Sequence, residues 1–113
     1  MSIFTKIKDT IFGKKDVVAG GAAVDAAGNV DIDAVLTTLA ASSGQTLNWK
    51  TSIVDLMKLV GMDSSLGQRQ ELAKELGYTG DMNDSASMNI WLHKQVMTQM
   101  AANGGKVPPN MMS

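Results

Sequence analysis

Three polar side chains stand on or beside helix faces that are otherwise apolar, and chemistry would have to start from them. Arg69 falls among Leu66, Leu72, Ala73 and Leu76 when the sequence is wound at about 100° per residue. A guanidinium there must snorkel to water or meet an acceptor, because an unpaired buried charge is costly. Carbonyls at a neighbouring helix end, or Asp55, Asp81 or Asp84, would satisfy it within the fold. An anion or an acidic partner would satisfy it from outside. Asn89 and His93 lie within the arc of roughly 220° swept by Met88, Ile90, Leu92, Val96, Met97 and Met100. They are four residues apart, so their side chains can touch. A core histidine that locks packing is one reading. A general base is the other, and it needs a nucleophile or acid partner that no constellation here supplies. Trp91 projects away from that arc beside Lys94, Gln95 and Thr98, either covered by another helix or presented to a partner.

Composition removes several alternatives. The chain lacks cysteine, so disulfides, thiolate metal sites and cysteine nucleophiles are excluded. His93 is the single histidine, which leaves zinc an improbable ligand set. The run Gly13-Lys14-Lys15 lacks the upstream glycine and following Ser/Thr of a phosphate loop, and Asp81 and Asp84 are not followed by a calcium-loop pattern. No cofactor is implied. A net charge of −1 provides no field to gather nucleic acid. Charge is nonetheless segregated: residues 1–15 hold Lys6, Lys8, Lys14 and Lys15 against Asp9, and residues 16–33 hold Asp16, Asp25, Asp31 and Asp33 without a base. With no membrane-spanning run and no secretory signal, a soluble cytoplasmic protein is expected.

The elements that must position these residues are all helical. Ser2 caps a first helix over 1–12 whose Ile3, Phe4, Ile7 and Ile11 share about a third of the helical circle. Residues 13–30 are rich in glycine and alanine and read as a flexible linker with ends roughly 20–25 Å apart. Asp31 or Asp33 opens a second helix with Ile32, Val35, Leu36, Leu39 and Ala40 on one face. Asn48 is expected to cap a third, carrying Trp49, Ile53, Leu56, Met57 and Val60. Ser64 or Ser65 caps a fourth, ending at Gly77, and Asp84 or Ser85 opens the longest, which runs to Asn103. No segment alternates long enough to compete as a strand. The expectation is an all-α chain: a small bundle of about four helices over 31–105, preceded by the tethered amphipathic helix and followed by a disordered tail at 106–113. Nine methionines and few aromatics give that bundle an adaptable core of modest stability.

The strings SIVDLMKL, ELAKELGYTG and MNIWLHKQVM, with the opening MSIFTKIKDTIFGKK, resemble a bacterial family known as domain of unknown function 3597. The resemblance covers nearly the whole chain. It implies a helical fold with a long flexible loop after the first helix, and it brings no activity, substrate or catalytic residue. Gly67 stands where a helix would favour alanine.

Without a catalytic set, the expected function is a non-enzymatic protein-interaction module. Trp91 and its polar neighbours would meet a protein partner, and the N-terminal segment would form a mobile second contact. Self-association through that segment is part of this reading. The alternatives are weak association with an anionic membrane through Ile3, Phe4, Ile7, Ile11, Lys6 and Lys8, and a small hydrolase with His93, Asn89 and Arg69 lining a pocket.

Overall fold

In a computed structural model, residues 2–14, 24, 28–44 and 46–107 are described. Each helix begins where a short polar side chain takes up an amide the helix cannot satisfy internally. Ser2 accepts from the Thr5 amide to open α1 (Ile3–Gly13), and Asp31 accepts from Ala34 to open α2 (Ile32–Ser43). Ser52 opens α3 (Ile53–Leu59), Ser65 opens α4 (Leu66–Glu75) and Asp84 opens α5 (Ser85–Ala102). The ends are as local as the starts. Gly61 and Gly77 take positive φ after α3 and α4, and the next amides, Met62 and Tyr78, turn back to the carbonyls of Met57 and Ala73.

The small all-α bundle is what the chain forms, with corrections to its edges. α3 starts four residues later than expected. Ser52, not Asn48, caps it; the Asn48 backbone carbonyl instead closes a tight turn by accepting from both Thr51 and Ser52. Trp49 is therefore a buried residue of a turn, not of a helical stripe. Leu66, assigned to the apolar face of α4, is 43% exposed because it sits in the first turn, beyond the packed part of that helix. Two short strands also form, β1 (Val30–Asp31) and β2 (Gly105–Lys106), paired in parallel with Val30 opposite Gly105. A ladder of two residues has no periodicity to announce it. It moves both expected boundaries: Val30 leaves the linker for the core, and Lys106 and the buried Val107 are ordered parts of the domain rather than tail. Val24 makes a single antiparallel bridge to Val30. The rest of the linker, residues 15–23 and 25–27, and the tail beyond Val107 lie outside the described residues.

One core joins all five helices. α5 supplies Met88, Leu92, Val96, Met97 and Met100, and α3, α4 and β2 pack against it. Met57 faces the same interior, so four fully buried methionines fill much of a core whose buried aromatic is Trp49. α1 lies on α4 and α2, with Ile3 8% exposed and Ile7 and Ile11 fully buried. Each such burial contributes about 1.5–3 kcal/mol at full transfer from water. The N-terminal helix is therefore part of the hydrophobic core, and the later four helices do not close it alone.

Two glycines separate packing from propensity. A Cβ on Gly105 would stand 2.7 Å from the Met100 carbonyl oxygen and 2.9 Å from Ile32 Cγ1. Gly105→Ala should cost about 1–3 kcal/mol, since backbone must move to admit it. Gly67 has open space around a virtual Cβ, so Gly67→Ala should stabilise by up to about 1 kcal/mol. Urea unfolding followed by far-UV circular dichroism checks both signs; a neutral Gly105→Ala would show that the β1–β2 junction is not tightly packed.

Candidate functional site

The four candidate residues of the C-terminal half fall into two separate hydrogen-bonded units and one aromatic pair. Arg69, half-buried on α4, donates from Nε to the Ser64 carbonyl at 3.1 Å and from Nη1 to Asn89 Oδ1 at 2.8 Å. The acceptor is thus a carbonyl of its own helix entrance and an amide on α5. Asp55, Asp81 and Asp84 are held elsewhere: Asp55 accepts from the Asn48 amide, Asp81 from Asn83 and Asp84 from Ser87. Arg69 consequently ties α4 to α5 at the point where both would otherwise leave polar groups at an apolar seam.

His93 does not pair with Asn89. It is 5% exposed, and its Nε2 lies 2.7 Å from the Trp49 carbonyl oxygen. A carbonyl only accepts, so Nε2 carries the proton and the neutral ring is the Nε2–H form. Burial pushes the imidazole below its ordinary value of 6.5, opposed in part by the hydrogen bond to Trp49. The ring therefore joins α5 to the turn before α3 and keeps that turn, with the indole of Trp49, inside the core. Asn89 and His93 share a helix face, but their bonds run to different elements.

Trp91 is half-buried and meets Tyr78, with ring centroids 4.9 Å apart and planes at 49°. Tyr78 is the third residue past the end of α4, where the turn at Gly77 directs it back over the bundle. Gly80 makes room for it: a Cβ there would fall 2.5 Å from the Tyr78 hydroxyl. Neither Tyr78 nor Gly80 stood out in the sequence. The signal available was the Gly-Tyr-x-Gly spacing after a helix, which allows a ring to fold back over a glycine. Ile90, counted with the apolar arc of α5, is 59% exposed and lies outside the core.

The N-terminal candidates are placed by α1. Ile3, Ile7 and Ile11 point inward, Phe4 is half-buried against the core, Lys8 is half-buried and Lys6 is exposed. One contact of α1 was not foreseen. The Glu75 carboxylate, at the last turn of α4, accepts from the Ile3 amide at 2.9 Å and from the Phe4 amide at 3.2 Å. α1 has no acidic residue in its own first turn, so a charge from elsewhere meets its positive end. That missing acid was the sequence signal, though it does not say which of the chain's carboxylates responds.

Among the described residues, no cluster of three His, Asp or Glu side chains could hold a metal ion, and every buried side-chain nitrogen or oxygen has a partner. Among them too, no helix is long and apolar enough to cross a membrane.

Comparison with known proteins agrees with this picture of a packed domain. The profile of domain of unknown function 3597 matches residues 17–108. The chain belongs to that family. The chain is also similar to the solution structure of RPA2825, a conserved unknown protein from Rhodopseudomonas palustris: 52% identity over 98% of each chain, with a TM-score of 0.77. That likeness includes α1, which lies before the family match. No curated protein matches the sequence.

Two outcomes follow for this family member. The folded state favours neutral His93 more than the unfolded chain does. Its stability is complete above about pH 6.5 and declines as pH falls below the unfolded value toward the lowered folded one. Thermal melts should lose several degrees between pH 7.5 and 5.5, and His93→Gln should flatten that slope; an unchanged slope would assign it to other groups. Gly80→Ala should displace Tyr78 from Trp91 and increase the fraction of tryptophan emission quenched by acrylamide, with the far-UV spectrum unchanged.

Proposed function

We propose that the protein is a non-catalytic interaction module whose partner-binding face is the outer side of α5. The observation that carries this reading is Ile90, 59% exposed in mid-helix. Lys94 and Thr98 continue its face at four-residue spacing, and Trp91 and Gln95 flank it half-buried. A branched apolar side chain at an exposed helix position gains nothing from propensity. Beside a Trp91 ring steadied by Tyr78 it makes a small apolar centre with a polar rim, the composition of a binding hot spot.

The chemistry of the interior supports the same direction. Arg69, Asn89 and His93 are used in joining α4, α5 and the turn before α3, so a hydrolase would have to break those bonds to employ them. A membrane role for α1 would require Ile3, Ile7 and Ile11 to leave the core first. The α5 face needs no such rearrangement.

A photo-cross-linking side chain at Lys94 of the full chain, in its native cells, should yield one discrete protein adduct. Ile90→Asp or Trp91→Ala should reduce that adduct at least about tenfold, as loss of a hot-spot residue does, without changing the circular dichroism spectrum. A cross-linker at the exposed Thr37 on α2 serves as control. Equal adducts from Thr37, or an adduct indifferent to both substitutions, would remove the α5 face from consideration.

A further inference from the structure

We infer that the surface beneath α1 is a helix-receiving site, and that α1 of a second copy of this chain is its alternative occupant. This inference concerns a different surface from the α5 face and does not depend on it. α1 is held in two ways. Ile3, Ile7 and Ile11, spaced by four, enter the core over α4 and α2. Among the described residues, the hydrogen bonds that join α1 to another element all end on Glu75. None of these contacts depends on which chain supplies the helix.

The site is selective. The Glu75 carboxylate meets the amide-bearing N-terminus of α1, where the opposite end of a helix would present carbonyls to it, so it sets the direction of the docked helix. A helix with an acid in its first turn would bring like charge against it. α2 and α3 carry Asp33 and Asp55 at that place, whereas α1, like α4 and α5, carries none; what sets α1 apart from those two is its stripe of Ile3, Ile7 and Ile11. α1 thus combines a serine cap, a first turn without acid and an apolar stripe at the required spacing. The family match, residues 17–108, contains Glu75 and the α2 and α4 surfaces but not α1. The receiving surface and its occupant are therefore separable in sequence, and residues 15–29 join them.

Occupation by the chain's own helix or by another's makes the same contacts, so concentration decides between them. A connection of this length gives the tethered helix a local concentration on the order of millimolar. A second copy's helix competes at comparable concentration, or well below it once the resident helix is disabled.

The test is a titration of full-length protein with a fluorescent, N-acetylated peptide of residues 2–14. Wild-type protein should bind it saturably near millimolar concentration. Full-length Ile7→Asp, whose own α1 cannot re-enter, should bind it at least about tenfold more tightly, since competition from the tethered helix is gone. In the Ile7→Asp protein, where no resident helix competes, Glu75→Gln should weaken peptide binding by about three- to tenfold, the effect expected of losing an exposed cap charge. A peptide carrying Ile7→Asp should not bind. The proposal is overturned if wild-type protein shows no saturable binding at millimolar peptide, or if Glu75→Gln leaves peptide binding by the Ile7→Asp protein unchanged. The wild-type titration decides alone should Ile7→Asp fail to fold. Partition of the peptide into phosphatidylserine vesicles with no binding to protein would overturn it in favour of a bilayer as the occupant.

Discussion

Removal of the apolar arc of α5 from water is the constraint on which the remaining structure depends. Met88, Leu92, Val96, Met97 and Met100 occupy successive turns of an eighteen-residue helix, and no single neighbour is long enough to cover them. α3, α4 and β2 each cover part. This division explains why the helices are short and why their caps are so regular. Each cover must begin and end within a few residues, and Ser52, Ser65, Gly61 and Gly77 set those limits locally. It also explains the two-residue β1–β2 pair, which brings the start of α2 beside the end of α5.

The polar residues that interrupt this arc take their character from the same constraint. His93 is buried in the core, where an unpaired imidazole N–H would be costly. The Trp49 carbonyl answers it at 2.7 Å and so anchors a turn that has no helix of its own. Arg69 and Asn89 solve a comparable problem at the α4–α5 seam by satisfying one another. In both cases a side chain suited to chemistry is committed to packing. The surface next to it, around Ile90 and Trp91, carries no such commitment.

α1 is held differently from the other helices. Its stripe enters the core as theirs do, yet its N-terminal amides are met by Glu75 from the far end of α4. A charge supplied from a distant element, and not by the first turn itself, sets the direction in which this helix docks, while Ile3, Ile7 and Ile11 supply its burial.

Much of the fold was legible in the sequence because its determinants are local. Ser2, Asp31, Ser65, Asp84 and Gly77 act within a single turn, and the stripes of α1, α2 and α5 follow from 3.6-residue periodicity. The family could be read from strings such as ELAKELGYTG for the same reason. Tertiary structure alone decided the rest. It chose Asn89 and Ser64 rather than a carboxylate as the partners of Arg69, and a backbone carbonyl 44 residues away for His93. It turned Ile90 and Leu66 out of the core, placed Tyr78 on Trp91, and brought Glu75 to α1 across 72 residues. Periodicity states which face of a helix is apolar, but a partner is selected by geometry between elements. That geometry exists only once several stripes have closed on one another and excluded water.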